Sequence, residues 1–133
     1  KKLNHVYLGP TPTYTEIDKR RFEIEPTTFE QVAQLLADKN IVAVFQGSAE
    51  GGPRALGNRS IICNPTISNM KDVLNFKVKN REWYRPFAGT ILEEHLHEWF
   101  DMRGLKNSPN MMFAVNVKKE KYNVCFRISV ELN

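Results

Sequence analysis

A helical pattern that runs directly into a short apolar segment constrains the fold of this chain more than any other feature. Thr27 with Glu30, or Thr28 with Gln31, has the spacing of a helix capping box. Apolar residues then recur at helical intervals, and residues 41–45 form a continuous apolar run. Such a run is typical of a strand that is buried on both faces. A helix followed by a buried strand predicts an α/β fold, with helices flanking a sheet.

Composition fits a soluble globular protein, and the length fits one domain or a piece of one. The chain has 133 residues, of which 41% are hydrophobic and 26% are charged. Cys63 and Cys125 lack the spacing of a metal site or a disulfide framework, so we expect reduced thiols and a cytoplasmic protein. His95 and His97 are two residues apart, which does not bring them to one ligand on a helix, so we predict no metal site. No apolar run is long enough to cross a membrane.

Further secondary structure is predicted from hydrophobic periodicity and from helix and strand boundaries. The predicted elements are strands at residues 4–8, 60–63, 87–92, 111–117 and 122–130, and helices from residue 68 or 69 to about 78 and from 93 to 101.

Positive charge is concentrated between Arg54 and Arg85. This span contains seven Lys or Arg and two acids, so its net charge is +5, whereas the whole chain carries +4. Four glycines, Gly52 among them, lie between residues 47 and 57. Glycine allows backbone N–H groups to approach a ligand, and the loop follows a predicted strand, where α/β sheets bind ligands. Arginine binds phosphate and carboxylate through two parallel hydrogen bonds, so the span is a candidate anion site.

A second group of cations consists of Lys79, Arg81 and Arg85. If this segment is extended, the three side chains and Trp83 lie on one face, because side chains alternate along a strand. Glu82 can neutralise one of the cations. The alternatives are a purely structural turn for the glycine-rich segment and a solvated basic loop for the second group.

Two sequence blocks resemble a known family. Residues 50–60 are Glu-Gly-Gly-Pro-Arg-Ala-Leu-Gly-Asn-Arg-Ser, and residues 81–88 are Arg-Glu-Trp-Tyr-Arg-Pro-Phe-Ala. In this order and at this spacing they are similar to the C-terminal region of the NodU/TobZ/CmcH-type O-carbamoyltransferases. The resemblance extends from residues 6–10 to residues 108–111 and thus covers most of residues 5–117.

The resemblance implies that residues 1–133 are one YrdC-like domain, an open twisted mixed sheet with flanking helices, in a truncated version. In the family this domain makes carbamoyl adenylate from carbamoyl phosphate and ATP, with Mg²⁺ in the substrate complex. A larger Kae1-like, metal-binding domain then transfers the carbamoyl group to a hydroxyl acceptor. The residues that the resemblance assigns to catalysis are Lys79, Arg54 and Arg85, and Arg81, Arg59 and Gly52 join them in binding ATP and carbamoyl phosphate.

The sequence departs from the family at its end. Residues 122–133 do not align, and the family's His-Val-Asp-Gly and Asn-Thr-Ser-Phe-Asn segments are absent from them. The isolated chain is therefore expected to lack part of the ATP site and to be a part of an enzyme. Two alternatives remain open: a non-catalytic module that binds RNA, and a module that docks on a separate Kae1-like chain.

Overall fold

A computed structural model describes residues 5–13, 20–122 and 130–131 of the chain. The chain divides into two compact units, residues 1–63 and residues 64–133. Both units contain short helices and short strands, which confirms the α/β class. The described strands form a two-stranded and a three-stranded sheet, and every strand pair in them is antiparallel.

In the first unit, helix α1 spans Phe29–Ala37. Of the two predicted capping boxes, the second is the one formed. The Thr28 hydroxyl accepts a hydrogen bond from the Gln31 N–H at 3.3 Å, and the Gln31 side chain accepts one from the Thr28 N–H at 2.8 Å. Both bonds satisfy N–H groups that have no partner within the helix, and this fixes where α1 starts.

An antiparallel pair follows, made of β1, Val42–Ala43, and β2, Ile61–Ile62. The pairing continues beyond the strands, since the Val44 N–H donates to the Ser60 carbonyl at 2.6 Å. The prediction of a strand in residues 60–63 is thereby confirmed. The glycine-rich segment is the connection between these two strands.

Burial in the first unit differs from the prediction. The run at residues 41–45 is not buried on both faces: Ala43 is exposed and Phe45 is 69% exposed. Helix α1 has no buried residue, and its Phe29 is 86% exposed. A sheet face becomes buried only when a second layer covers it, and the exposure of Ala43 and Phe45 shows that these side chains are not covered. All eight buried residues of the described chain lie in the second unit.

The second unit starts with a helix whose geometry changes along its length. Helix α2, Met70–Asp72, runs directly into a π-helix, Val73–Val78. The predicted start at Asn69 and the predicted end near Val78 are confirmed. After Val78 the chain turns away at Asn80, whose φ of 46° is left-handed, as is common just past the end of a helix.

The remaining elements build the core of the second unit. Trp99 is half-buried against this core, and Leu96 and Phe100 are inside it. No described residue in the range 87–92 is in a strand, so that prediction is wrong, and most of the strand predicted at residues 122–130 lies outside the described residues. The elements are a 3₁₀ turn at Glu93–His95, α3 at Leu96–Trp99, β3 at Phe100–Asp101, β4 at Ala114–Val117, a 3₁₀ turn at Lys119–Lys121 and β5 at Val130–Glu131, in the sheet order β3-β4-β5.

Candidate functional site

The glycine loop, residues 46–60, is held together by hydrogen bonds to the half-buried carboxylate of Glu50. One carboxylate oxygen, Oε1, accepts hydrogen bonds from the backbone N–H groups of Leu56 at 2.9 Å, Asn58 at 2.7 Å and Arg59 at 3.2 Å. Partial burial raises the pKa of Glu50, but these N–H donors lower it, so the pKa lies below its ordinary value. The carboxylate therefore stays charged and organises the loop from within.

Arg59 has the complementary role on the carbonyl side of the glycine loop. Its guanidinium donates to the carbonyl oxygens of Gln46 at 2.6 Å, Asn58 at 2.7 Å and Gly47 at 3.1 Å. The same group lies over the ring of Phe45, 4.0 Å from its centroid, in a cation–π contact. The structure thus places Arg59 as a clamp on the loop backbone, and its predicted contact with a nucleotide stays a prediction.

Gly52 has a conformation that other residues rarely adopt. Its φ is 141°, and no described heavy atom lies within 4 Å of the position that a Cβ would occupy. Arg54, two residues further, is half-buried. The backbone at Gly52 is therefore open, two residues from Arg54 in the sequence, and an anion site formed by the two residues stays a prediction.

The cation segment, residues 79–85, is not extended. Lys79 has helical backbone angles, Asn80 is left-handed, and Trp83 and Tyr84 form a turn. The expectation that alternate side chains share one face, as on a strand, is therefore wrong. The reason is the π-helix, because its end at Val78 sends the chain into a tight reversal.

Asn75, in the π-helix, organises the cation segment. It has 0% of its surface exposed. Its Nδ2 donates to the carbonyl oxygens of Trp83 at 3.3 Å and Arg85 at 3.1 Å, and its Oδ1 accepts from Nε of Arg81 at 2.8 Å. Its own carbonyl accepts the Arg81 N–H at 2.9 Å. The segment is thus fixed to the helix through one buried side chain.

The cations of the segment differ in their surroundings. Arg81 lies over the Phe87 ring, 4.7 Å from its centroid. Nε of Arg85 forms an ion pair with Glu82 at 2.8 Å, which confirms that Glu82 neutralises one cation. The backbone N–H of Glu82 itself, and then the hydrogen bond and charge of Arg85, lower the pKa of Glu82, so it is ionised at neutral pH. Lys79 is exposed.

The six residues assigned from the resemblance thus fall into two local groups. Arg54, Arg59 and Gly52 are in the glycine loop of the first unit, and the other three are in the cation segment of the second. That the two groups share one phosphate site stays a prediction. Sequence reasoning missed Glu50 and Asn75 as organising residues. Glu50 was within a recognised motif, but Asn75 carried no local signal.

A small cavity lies elsewhere in the second unit. Its volume is about 100 Å³, and none of the predicted cations lines it. Ser108 is 4% exposed, and its hydroxyl has no hydrogen-bond partner among the described residues. The space admits water, and a water bound to Ser108 would satisfy this hydroxyl. The lining residues are Ile91, Glu93, Leu96, Asn107, Ser108 and Pro109.

Within the described residues, no three His, Cys, Asp or Glu side chains are grouped as a metal site requires. His95 instead contacts Glu98, with 3.2 Å between Nδ1 and Oε1.

None of the described helices is both long and apolar enough to cross a bilayer.

Comparison with known proteins supports the assignment that the two blocks suggest. The family model described as carbamoyltransferase C-terminus matches residues 33–129, which is more than half of the chain. The match includes all six predicted site residues, together with Glu50 and Asn75.

Several curated proteins are similar over most of the chain. Nodulation protein NolO of Bradyrhizobium diazoefficiens is 45% identical over 93% of this chain. An uncharacterized protein of Synechocystis sp. is 39% identical over 86% of it, and nodulation protein U of B. diazoefficiens is 41% identical over 71%. The matched regions are 24%, 20% and 16% of these relatives, respectively, so the chain spans less than a quarter of their length. On the extent of the family match, this chain belongs to the carbamoyltransferase C-terminal family.

Proposed function

We propose that this chain is the nucleotide-binding part of an O-carbamoyltransferase, which binds ATP and carbamoyl phosphate and forms carbamoyl adenylate. The proposal extends the family assignment to a YrdC-like activity with named substrates. The observation that carries it is the fixed geometry of the cation segment: Arg81 is held by both its backbone N–H and its guanidinium. The alternative interpretation, a solvated basic loop, does not explain why Arg81 is held in this way.

The proposed reaction has two steps. Water converts carbamoyl phosphate to carbamate with release of phosphate. A carbamate oxygen then attacks the α-phosphorus of ATP, a P–O bond forms, and the bond to the leaving pyrophosphate breaks. Both steps concentrate negative charge, and cations fixed in advance stabilise it without reorganising during the reaction. In this proposal Arg54, Lys79 and Arg85 bind the phosphates, and the glycine loop brings backbone N–H groups near them.

Mg²⁺ enters the proposal as part of the ATP complex. It commonly binds through substrate phosphates and only one or two carboxylates. Glu50, in the glycine loop, already accepts bonds from three N–H groups, and Glu82, in the cation segment, is already paired with Arg85. These residues therefore fit a Mg²⁺ ion that binds together with ATP and neutralises the charge of its phosphates.

Calorimetry with a matched pair of variants tests the proposal. Lys79→Ala removes a proposed phosphate ligand, whereas Lys77→Ala removes a lysine of the adjoining π-helix that is also exposed and has no assigned role. We expect Lys79→Ala to weaken binding of Mg·ATP or carbamoyl phosphate about tenfold, the loss of one charged hydrogen bond. Lys77→Ala should bind as the wild type does. Equal weakening in both variants would reduce the effect to net charge and count against a defined site.

Arg54→Ala gives an independent test from the first unit. If the glycine loop and the cation segment bind one ligand, this variant also loses about tenfold in affinity for the same ligand as Lys79→Ala. Unchanged affinity in Arg54→Ala alone would remove the glycine loop from the site and leave the cation segment as the binding element.

RNA binding is the second candidate, and one observation favours it. Trp83 and Tyr84, adjacent to the cations, are 64% and 60% exposed, as base-stacking residues must be. Affinity for single-stranded RNA that falls steeply with salt and drops on Trp83→Ala would support this function. Nucleotide affinity that is insensitive to Trp83→Ala, without RNA binding, would exclude it.

The third candidate is a docking module for a separate Kae1-like chain. The exposed apolar side chains of the first unit, including Phe29 and Phe45, are the surface that such a partner would cover. A shift in gel filtration on mixing the two chains would support docking, and unchanged elution at micromolar concentrations would argue against it.

A further inference from the structure

We infer that Asn75 is a positioning residue, whose amide sets the geometry of Arg81 and Arg85 for anion binding. The inference rests on the proposed function for the identity of the anion, a phosphate of ATP or carbamoyl phosphate. Asn75 is not among the site residues that the family resemblance assigned. It acts through two arginines that are assigned, and we place it outside direct contact with the ligand.

The hydrogen bonds of Asn75 carry the inference. All three side-chain bonds, at 2.8, 3.1 and 3.3 Å, go to residues of the cation segment, and none goes to the apolar core. Its oxygen orients the guanidinium of Arg81, and its nitrogen fixes the backbone of Arg85. One rigid, planar amide thereby ties the Arg81 side chain to the backbone of Arg85, four positions later.

Because Asn75 is buried, loss of its hydrogen-bond partners would be energetically costly. Asn75 is fully buried, and a buried amide that lacks hydrogen bonds is strongly unfavourable. Here both ends of the amide are satisfied, and a satisfied buried network favours one conformation over others. An apolar residue would pack in this position but would leave the Arg81 guanidinium and two carbonyl groups without these partners.

The π-helix explains why this residue reaches the segment. In Val73–Val78 the backbone bonds are longer-range than in an α-helix: the Lys79 N–H donates to the Leu74 carbonyl, five residues earlier. The Arg81 N–H donates to the Asn75 carbonyl, six residues earlier. The widened turn brings the chain back over Asn75. Single π turns are frequent at functional sites, which agrees with a positioning role.

Two substitutions separate the two halves of the amide. Asn75→Asp keeps an oxygen that can accept from Arg81 but removes the donor to the Trp83 and Arg85 carbonyls. Asn75→Ala removes both. Asn69→Asp is the matched control, because it makes the same chemical change at an exposed position of the same helical segment, where the side chain makes no capping bond.

Two measurements on the whole chain test the inference. The first is the ¹⁵N–¹H signal of Arg81 Nε, assigned with Arg81→Lys, whose proton should exchange slowly with solvent because its acceptor is buried. The second is calorimetric affinity for Mg·ATP and for carbamoyl phosphate. Asn75→Ala should lose the slow Arg81 proton and bind about tenfold more weakly. Asn75→Asp should keep the slow proton and still bind about tenfold more weakly, and Asn69→Asp should match the wild type in both.

The outcomes are separable. A slow Arg81 proton in Asn75→Ala would overturn the contact itself. Wild-type affinity in both Asn75 variants, with the Arg81 proton lost in the alanine variant, would overturn the positioning role. If Asn75→Ala does not fold, Asn75→Asp still decides through affinity. If the wild type binds neither ligand, the proposed function and the role in phosphate binding both fail, while the Arg81 signal still shows whether Asn75 holds the segment.

Discussion

Replacing Glu50 by glutamine should loosen the glycine loop at three defined backbone positions. The carboxylate oxygen of Glu50 accepts hydrogen bonds from the N–H groups of Leu56, Asn58 and Arg59. Glutamine keeps the shape and offers one carbonyl oxygen, but it removes the negative charge. Each charge-assisted hydrogen bond then becomes a neutral one.

The size of the effect follows from the difference between the two kinds of bond. Hydrogen bonds to charged groups stabilise by about 1.5–3 kcal/mol and neutral ones by about 0.5–1.5 kcal/mol, so three bonds lose roughly 3 kcal/mol in total. Glu50 is only half-buried, and solvent screening reduces the loss to about 2 kcal/mol. If the free energy of local opening falls by about 2 kcal/mol, these amides exchange roughly 30-fold faster.

Amide hydrogen exchange measured by NMR is the appropriate assay, because it reports each N–H separately. Glu50 is at least six positions from these amides, so the substitution leaves their intrinsic exchange rates unchanged. Gly57 provides an internal control. Its N–H lies between those of Leu56 and Asn58 but donates to the Ser60 hydroxyl at 2.9 Å. We expect the three Glu50-bonded amides to accelerate and Gly57 to change little.

Two results would refute this reasoning. Wild-type exchange at all three amides in Glu50→Gln would mean that the carboxylate does not hold the loop. Equal acceleration at Gly57 would mean that the whole loop opens as one unit, and the bond-by-bond calculation would not apply. Ser60→Ala completes the comparison, since it should accelerate Gly57 and leave the other three amides unchanged.

Three further predictions concern acid, the helix cap and the core. Partial burial raises the pKa of Glu50, but the N–H donors lower it further, so the pKa in the folded protein is below the ordinary value of about 4.3. Protection of the three amides should therefore be complete above about pH 4.3 and be lost only as the pH falls through the lower folded value. Amide exchange between about pH 2 and 6 measures this. Thr28→Ala should destabilise α1 by about 1 kcal/mol in urea unfolding followed by circular dichroism. Phe100→Ala should cost about 3–5 kcal/mol in the same experiment, because this side chain is 5% exposed in the core.

Each of these has a control. Glu50→Gln should remove the pH dependence of the three amides, and a titration centred at the ordinary glutamate pKa would contradict the lowered value. Thr28→Ser retains the capping oxygen and should stay within a few tenths of a kcal/mol of the wild type. Tyr122→Ala, at an exposed position, should have little effect, so a similar loss there would argue against Phe100 as a core residue.

Local sequence patterns predicted the elements whose signals are short-range. The Thr28–Gln31 capping box, the helix from Asn69 to Val78 and the strand at residues 60–63 were all readable from neighbours within a few positions. The burial predictions that failed required knowledge of what covers a surface. An apolar run such as residues 41–45 shows that burial is favourable, but it does not show which surface provides it.

The candidate site divides in the same way. The sequence identified the cations Arg54, Lys79 and Arg85 by their charge and their motifs, and the family match agrees with those motifs. It did not show that Asn75 orients the cation segment. Asparagine has no charge and no periodic signal, so its role depends on which groups the folded chain brings around it.

The sequence alone determined the α/β class, the start of α1, the concentration of positive charge and the family, because charge and periodicity are properties of the residues themselves. Only the tertiary structure decided what those residues bond to. Glu50 contacts amides six to nine positions away, Arg59 reaches the carbonyl of Gln46 thirteen positions back, and Asn75 reaches Arg85 across ten. Such contacts depend on the path of the backbone between the partners, and here that path is set by left-handed turns and a π-helix, which these short-range patterns did not predict.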